Sequence, residues 1–232
     1  MGKEPRRTRG SFFCFSRGLA TYARVVARKL RDQSEGMRHI RCRGNRKQPI
    51  FVDDFDRERL LVLFGKVCRK LGWRCVAYCL MGNHVHFVVD VPAFTISQGM
   101  QLLNGQYAQM FNRRHGYVGH LFEGRFRASR VDDDAYSLQV GRYVVLNPVR
   151  AGMVEEAVDW TWSSHRAMLG KVAPPPFLDV EWTLGQFARK LDEAREAYAA
   201  FVEAGKLALE QARLERRGQA PGQVPRGRDR YG

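Results

Sequence analysis

The sequence lacks long hydrophobic runs, paired-cysteine motifs and a balanced supply of acidic residues. No run of about eighteen apolar residues occurs, which argues against a membrane-spanning helix. The five cysteines form no C-x-x-C pair, which argues against a zinc knuckle or a disulfide framework. Lysine and arginine number 39 against 24 acidic residues, a net charge of +15. This excess favours a polyanionic partner, either nucleic acid or an anionic membrane surface.

The rest of the composition indicates a folded protein with basic, irregular ends. Hydrophobic residues make up 44% of the 232 residues, enough for a core. Residues 1–31 are arginine-rich and lack the apolar stretch of a secretory signal, so we predict a flexible basic arm, with a transit-type peptide as the open alternative. Residues 217–232 are predicted to be a disordered basic tail. Cys75 and Cys79 are predicted to be buried thiols on one strand face, as expected of a reducing cytoplasm.

Hydrophobic periodicity predicts alternating strands and helices. The predicted segments are a strand at 37–43, a helix within 50–73 capped by Asp53 or Asp54 and ended by Gly72, a strand at 74–91 bent at Met81-Gly82, a helix within 94–116, short strand pieces within 119–132, a helix within 132–147, and one or two helices within 181–217. This order indicates an α+β fold, a compact antiparallel sheet with helices on one side.

Simple alternation divides the predicted strand 74–91 into two faces. One face would carry Val76, Tyr78, Leu80, His84, His86 and Val88, and the other Ala77, Cys79, Val85, Phe87 and Val89. Two imidazoles on one face can bind one metal ion. An isolated H-x-H pair is more often structural or exposed, however, and two ligands are too few for a dedicated zinc site. A third ligand and a reactive group would have to come from another element.

The predicted helix within 132–147 offers both. Tyr143 and Asn147 are four residues apart and share one helix face. The structural alternative is a half-buried aromatic residue and a helix-end residue before Pro148. If the helix met the strand, Asn147 could complete a metal site, and Tyr143 could attack a phosphorus atom beside it. Mg²⁺ or Mn²⁺ is the expected ion, since Mn²⁺ tolerates imidazole better.

Five motifs occur in an order that resembles a known family. They are RCRGNRKQPIF (41–51), MGNHVHFVV (81–89), FNRRHGYVGHLFEGRF (111–126), YVVLNPVRAGMV (143–154) and WTWSSHRAMLG (160–170). Together they closely resemble the REP-associated tyrosine transposases, the chromosomal branch of the single-tyrosine HUH transposases, which are insertion-sequence-200-like. H-x-H alone is nonspecific, whereas Y-x-x-x-N-P-V-R-A-G is highly specific. The resemblance covers roughly residues 26–205.

The resemblance implies a ferredoxin-like sheet with the histidine pair on a central strand. It implies a metal-dependent endonuclease and strand transferase that acts on repetitive extragenic palindromes (REP), single-stranded DNA hairpins with a guide sequence at the foot. Tyr143 would be the nucleophile and form a 5′-phosphotyrosine. His84, His86 and Asn147 would hold the Mg²⁺ or Mn²⁺. The protein would be bacterial, cytoplasmic and nucleoid-associated, and a monomer, with a dimer left open.

This interpretation divides the chain into four parts and assigns a DNA-binding surface. The parts are the arm 1–31, the transposase domain 32–170, a helical extension 171–216 and the tail 217–232. Basic residues around the motifs are predicted to contact phosphates: Arg43, Arg46, Lys47, Arg113, Arg114, Arg125, Arg127, Arg130 and Arg150. The alternative for Arg150 is that it holds the Asn-Pro turn in place. Tyr117, Phe122 and Phe126 are predicted to stack on unpaired bases. His39, His115, His120 and His165 are expected to be structural or DNA-facing.

Two other functions stay open on the sequence. The first is a non-catalytic palindrome-binding protein, which the intact His84, His86, Tyr143 and Asn147 argue against. The second is a metal-dependent phosphodiesterase that uses water, with Tyr143 purely structural. Cleavage that survives Tyr143→Phe would favour the second.

Overall fold

The structure is a computed structural model that describes residues 32–218, with side chains described up to residue 215. Its elements are β1 (Gly36–Arg43), α1 (Asp54–Leu71), β2 (Arg74–Leu80), β3 (His84–Val91), α2 (Ile96–His115), β4 (Arg127–Arg130), α3 (Asp134–Val145), α4 (Asn147–Arg150), α5 (His165–Met168), α6 (Val180–Gly185) and α7 (Leu191–Gly218). The predicted arm 1–31 and nearly all of the predicted tail lie outside the described residues.

The four strands form one antiparallel sheet in the order β2-β3-β1-β4. The chain contains two consecutive units, β1-α1-β2 and β3-α2-β4, and in each unit a helix connects the two strands. This is the ferredoxin-like arrangement. The α+β prediction is therefore confirmed. β3, which carries both histidines, lies in the interior of the sheet between β1 and β2.

Residues predicted to begin and end the helices do so. The Asp53 carboxylate accepts a hydrogen bond from the backbone N–H of Asp56 at the start of α1. Gly72 ends α1 in the left-handed conformation, at φ 70°. The Asp133 carboxylate caps α3 in the same way through the N–H of Tyr136. α3 stops at Val145, and Pro148 allows a new short helix to begin at Asn147.

The prediction of one bent strand over 74–91 is wrong. The chain reverses at residues 81–83, and β2 returns along β3 as a hairpin with Leu80 opposite Val85 and Cys79 opposite His86. This turn interrupts the alternation of side chains between the two sheet faces, so the pattern in β2 does not continue into β3. Tyr78 and Leu80 therefore point into the main core, on the side away from the histidines.

A β-bulge also changes the predicted position of the cysteines. The pairing register of β2 shifts between Cys75 and Ala77, so the side chains on either side of it fall out of simple alternation. Cys75 lies in the main core and Cys79 in the cluster on the opposite sheet face, and the prediction that they share a face is wrong. Both are buried free thiols, as predicted.

Helices cover the two sheet faces unequally. α1 and α2 pack on one face over the main core, which includes Val85 and Phe87. α3 packs on the other face over β2 and β3, where a smaller cluster surrounds Val88. The expectation of helices on one side only is therefore wrong. The β1-β4 half of the α3 face keeps exposed residues, including Arg127 and Ser129.

Segments of the chain after α4 cover the β2 edge of the sheet. The N–H of Asp179 donates to the carbonyl oxygen of Cys75, and the Trp160 indole donates to that of Leu80. Such contacts satisfy backbone groups that an edge strand would otherwise expose. α7 adds Tyr198 to the main core. No helix among the described residues is long and apolar enough to cross a membrane.

Candidate active site

The two histidines of β3 point away from the main core. Val85 and Phe87 are almost fully buried on the α1-α2 side, so the strand's alternation presents His84 and His86 on the α3 side. Their ring centroids are 5.0 Å apart, with the rings at 76° to each other. His86 is buried, and His84 is half-buried. The pair is therefore fixed by packing on its strand and open to a ligand at His84.

α3 brings Tyr143 to this pair. Its ring centroid lies 6.1 Å from that of His86, edge to face. Tyr143 remains 38% exposed, so the residue is open to a large substrate. The meeting of strand and helix that the sequence hypothesis required is thus present in the fold.

Asn147 is attached to the end of α3. Its amide nitrogen donates to the carbonyl oxygens of Tyr143, at 2.9 Å, and Val144, at 3.3 Å. These bonds satisfy carbonyl groups that the helix end leaves without a helical partner. These bonds are the ones expected if Asn147 is a helix-end residue before Pro148. They also fix its side chain beside Tyr143. Metal ligation through the Asn147 oxygen stays a prediction.

His39 on β1 completes the group of rings, a position that sequence alone did not single out. A hydrogen bond of 2.8 Å joins its Nε2 to Nδ1 of His86, and the two rings are stacked at 5.1 Å. The Tyr143 ring also meets His39 edge to face, at 6.1 Å. The available signal was the spacing of His39, Arg41 and Arg43, which places three polar side chains on one face of β1.

The imidazoles are held in the neutral form. Burial, followed by the nearby Arg43 and Arg41, lowers the pKa of His84 to about 4. Burial, followed by the neighbouring His39 and His84, lowers the pKa of His86 to about 2. Burial, with Arg41 second, lowers the pKa of His39 to about 4. Neutral imidazole is the form that binds metal ions.

Hydrogen bonding fixes the tautomer of His84. Asn83 donates its amide nitrogen to the carbonyl oxygen of Lys47 at 2.9 Å, which orients the amide. Its oxygen then accepts from Nδ1 of His84 at 2.7 Å, leaving the lone pair on Nε2. This donor set fits a divalent metal. The described residues contain no group of three or more His, Cys, Asp or Glu placed to hold an ion.

Positive charge surrounds the site. The Arg150 guanidinium lies over the Tyr143 ring, 4.9 Å from its centroid. On β1, Arg41 is opposite His86 and Arg43 opposite His84, while Arg127 of β4 is opposite Arg41. The open half of this sheet face is thus a basic strip next to the tyrosine. Arg41 was absent from the predicted DNA-binding set, whereas Arg150 was a member of it.

The predicted DNA-binding residues divide into three groups. Arg43 and Arg127 lie on the basic strip and Arg150 lies beside Tyr143, whereas Arg46, Lys47, Arg113 and Arg125 are exposed and lie outside β1 and β4. The other two are engaged in ion pairs. Arg114 binds Asp53 at 2.5 Å and the fully buried Asp56 at 2.7 Å, and Arg130 binds Asp132 at 3.2 Å. Phosphate contact by these residues stays a prediction.

The predicted base-stacking residues and remaining histidines lie outside the ring group. Phe126 is buried in the main core, so the prediction that it stacks on a base is wrong. Phe122 is half-buried and packs against the same core, whereas Tyr117 is exposed. His115 binds the Asp56 carboxylate, and His165 binds the Tyr198 hydroxyl at 3.2 Å.

Comparison with known proteins agrees with this geometry. The family model described as "Transposase IS200 like" matches residues 32–147, half of the chain. A Haemophilus influenzae protein assigned to the REP-associated tyrosine transposases is 25% identical over 123 residues, which cover 48% of this chain and 70% of that protein. A solved REP-associated tyrosine transposase bound to a REP hairpin superposes with a TM-score of 0.52 at 16% identity, over 66% of this chain and 88% of that one. That structural likeness shows the fold.

A histidine pair on the inner strand of a ferredoxin-like sheet, faced by a helical tyrosine, is the arrangement that the resemblance to the single-tyrosine class of transposases implies. The chain belongs to the IS200-like transposase family of that class, and its resemblance to the REP-associated tyrosine transposases is confirmed. It is accordingly an enzyme that cleaves and rejoins DNA.

Proposed function

We propose that this chain nicks and rejoins single-stranded DNA through a covalent 5′-phosphotyrosine at Tyr143. The observation that carries the proposal is the contact of the Tyr143 ring with both His86 and His39 at the edge of a basic, open sheet face. A purely structural tyrosine would not need to be 38% exposed beside a pair of neutral imidazoles.

The covalent step uses the hydroxyl of the exposed Tyr143. The Tyr143 oxygen attacks the phosphorus of a phosphodiester, a new P–O bond forms to tyrosine, and the bond from phosphorus to the 3′ oxygen breaks. The tyrosine proton passes to solvent, and the leaving oxygen takes up a proton to become a 3′-hydroxyl. Arg150, over the tyrosine ring, supplies positive charge where the phosphate becomes crowded with negative charge. Reversal of the same step by another 3′-hydroxyl rejoins the strand.

His84, His86 and Asn147 are the residues that would hold a divalent metal, Mg²⁺ or Mn²⁺. When bound there, the ion polarises a phosphate oxygen as a Lewis acid. The protein fixes the ligands: packing in β3 orients the two rings, and Asn147 is fixed by its bonds to the α3 backbone. The neutral state of the rings keeps their lone pairs available near neutral pH.

The proposed substrate is a single-stranded palindromic hairpin. The solved relative is described as bound to a REP hairpin, and the strip of Arg41, Arg43 and Arg127 gives this chain phosphate-binding charge next to Tyr143. We propose that the protein acts as a monomer in the bacterial cytoplasm, in association with the nucleoid.

The test is covalent capture. Wild-type protein and Tyr143→Phe are incubated with Mn²⁺ and end-labelled single-stranded palindromes taken from around the gene, with the same sequences as full duplexes for comparison. We expect a denaturation-resistant adduct with wild type and single strands only. Absence of the adduct across these palindromes would overturn the proposal. Cleavage that persists in Tyr143→Phe would point to the water-using phosphodiesterase, and hairpin binding without cleavage would point to a non-catalytic binding protein.

A further inference from the structure

His39 makes a contact that the proposed reaction does not by itself require. Its Nε2 lies 2.8 Å from Nδ1 of His86. The register of the sheet makes this contact: His39 pairs with Val88 and Arg41 with His86, so His39 is the diagonal neighbour of His86 on the same face. Both side chains are held by the central pair of strands.

One of these two nitrogens donates and the other accepts, and the choice decides what His86 can do. A neutral imidazole carries one proton. If His39 donated, the proton of His86 would lie on Nε2, and that atom could not bind a metal ion. If His86 donates from Nδ1, its Nε2 lone pair is free, and both rings of the pair present the same atom, because Nδ1 of His84 donates to Asn83.

We propose that His39 is a positioning residue that accepts the Nδ1 proton of His86 and so fixes the metal-binding tautomer and ring plane of that ligand. The inference rests on the proposed metal-assisted function. Metal-bound histidines usually donate their second N–H to a carboxylate, a carbonyl or water, and here a third imidazole takes that place. The stacked His39 ring also supports the edge of Tyr143, so one side chain aligns the ligand and the nucleophile.

Two substitutions of His39 distinguish its role as a hydrogen-bond acceptor from the packing role of its ring. His39→Gln can place an amide oxygen near the position of Nε2 but lacks the ring, whereas His39→Phe keeps the ring contacts with His86 and Tyr143 and lacks the acceptor. His165→Phe makes the same exchange at a buried histidine bound to Tyr198 and serves as the matched control for general effects on packing.

Two readouts need no DNA cleavage. Long-range ¹H–¹⁵N spectra of the metal-free, ¹⁵N-histidine-labelled full chain should show His86 protonated on Nδ1 in wild type and in His39→Gln, and shifted towards the Nε2-protonated form in His39→Phe. Mn²⁺ titration followed by electron paramagnetic resonance should show affinity weakened about 10- to 100-fold in His39→Phe. His39→Gln should stay much closer to wild type, and His165→Phe unchanged.

An Nε2-protonated His86 in wild type would overturn the inference, as would equal Mn²⁺ affinity in wild type and His39→Phe or no specific Mn²⁺ binding by wild type. Failure of the proposed reaction is distinguishable from these results. It would appear as absence of the Tyr143 adduct, while the His86 tautomer and the Mn²⁺ effect of His39→Phe still matched expectation.

Discussion

Asn147, beside Tyr143, has a structural role at the helix end and a proposed role as a metal ligand. Its amide nitrogen closes the end of α3 through two carbonyl groups, while its oxygen is the proposed third metal ligand. These tasks use opposite ends of one amide. Substitution can therefore remove them separately.

The Asn147 prediction concerns Ala and Asp variants. Asn147→Ala should lose Mn²⁺ affinity and about 1 to 3 kcal/mol of folding free energy, since it removes two hydrogen bonds near the core. Asn147→Asp should keep Mn²⁺ affinity but lose stability, because a carboxylate cannot donate and is unfavourable at a helix C-terminus. Chemical denaturation and Mn²⁺ titration measure the two effects. Equal Mn²⁺ affinity in Asn147→Ala and wild type would leave Asn147 with the helix-end role alone.

At the scale of elements, the position of α3 on the sheet decides whether Tyr143 reaches the histidines. Gly141 faces β2 at this contact, since a Cβ atom there would lie 3.6 Å from the Cβ of Ala77, an ordinary van der Waals distance. That distance admits a methyl group and nothing larger without movement of the helix.

The Gly141 prediction uses that limit. Gly141→Ala should fold with stability raised by about 0.5 to 1 kcal/mol, since alanine favours a helix interior over glycine. Gly141→Leu should displace α3 and lower the rate of adduct formation by about two orders of magnitude, because misplacement of a nucleophile by about 1 Å is that costly. Single-turnover adduct assays measure the rates. A Leu variant as fast as the Ala variant would contradict the account of α3.

Sequence patterns located most of the elements and most residues of the candidate site, and the errors have physical causes. Helical spacing and caps placed α1 and α2, and the four-residue spacing of Tyr143 and Asn147, together with the motif resemblance, pointed to the helix that meets the histidines. The turn at residues 81–83 and the bulge near Cys75 could not be predicted from alternation, because both depend on pairing between strands. His39 was missed for the same reason, since its contact with His86 exists only through the register of β1 on β3.

At the scale of the whole molecule, where the net charge is +15, described basic residues lie on both sides of the sheet. Arg41 and Arg127 face each other across β1 and β4 on the tyrosine side of the sheet. Lys66 and Lys70 are exposed on α1, which covers the opposite face. Removing either pair lowers the net charge by the same amount. A comparison of the two double variants therefore distinguishes an effect of the proposed DNA-binding face from an effect of the total charge.

The salt dependence of DNA binding should report this difference. Each phosphate contact to a single strand contributes about 0.7 to the slope of log affinity against log salt. Removing Arg41 and Arg127 together, as alanines, should weaken binding and reduce the slope by about 1.4. The control, Lys66→Ala with Lys70→Ala, has the same change in net charge and should leave the slope nearly unaltered. Equal slopes for the two double variants would show that the basic strip is not the DNA track.

Folding stability should fall in a defined acid range because buried histidines resist protonation. Burial, with Lys171 second, lowers the pKa of His165 to about 4 from its ordinary 6.5. The unfolded chain takes up this proton first, so stability is intact above pH 6.5 and is lost as the pH falls towards 4. At pH 5 this group alone costs on the order of 2 kcal/mol. Urea unfolding of wild type and His165→Gln at about pH 7.5 and pH 5 should show the smaller loss in the variant. Parallel losses would contradict this origin.

The central claim, that Tyr143 itself becomes joined to DNA, is tested most directly by locating the adduct. Wild-type protein is allowed to react with a single-stranded palindrome and Mn²⁺, and it is then digested with trypsin and a nuclease. Mass spectrometry should find a nucleotide phosphate on the peptide Tyr143–Arg150, attached at Tyr143. A nucleotide on any other residue, or cleaved DNA with this peptide unmodified throughout the reaction, would contradict the account.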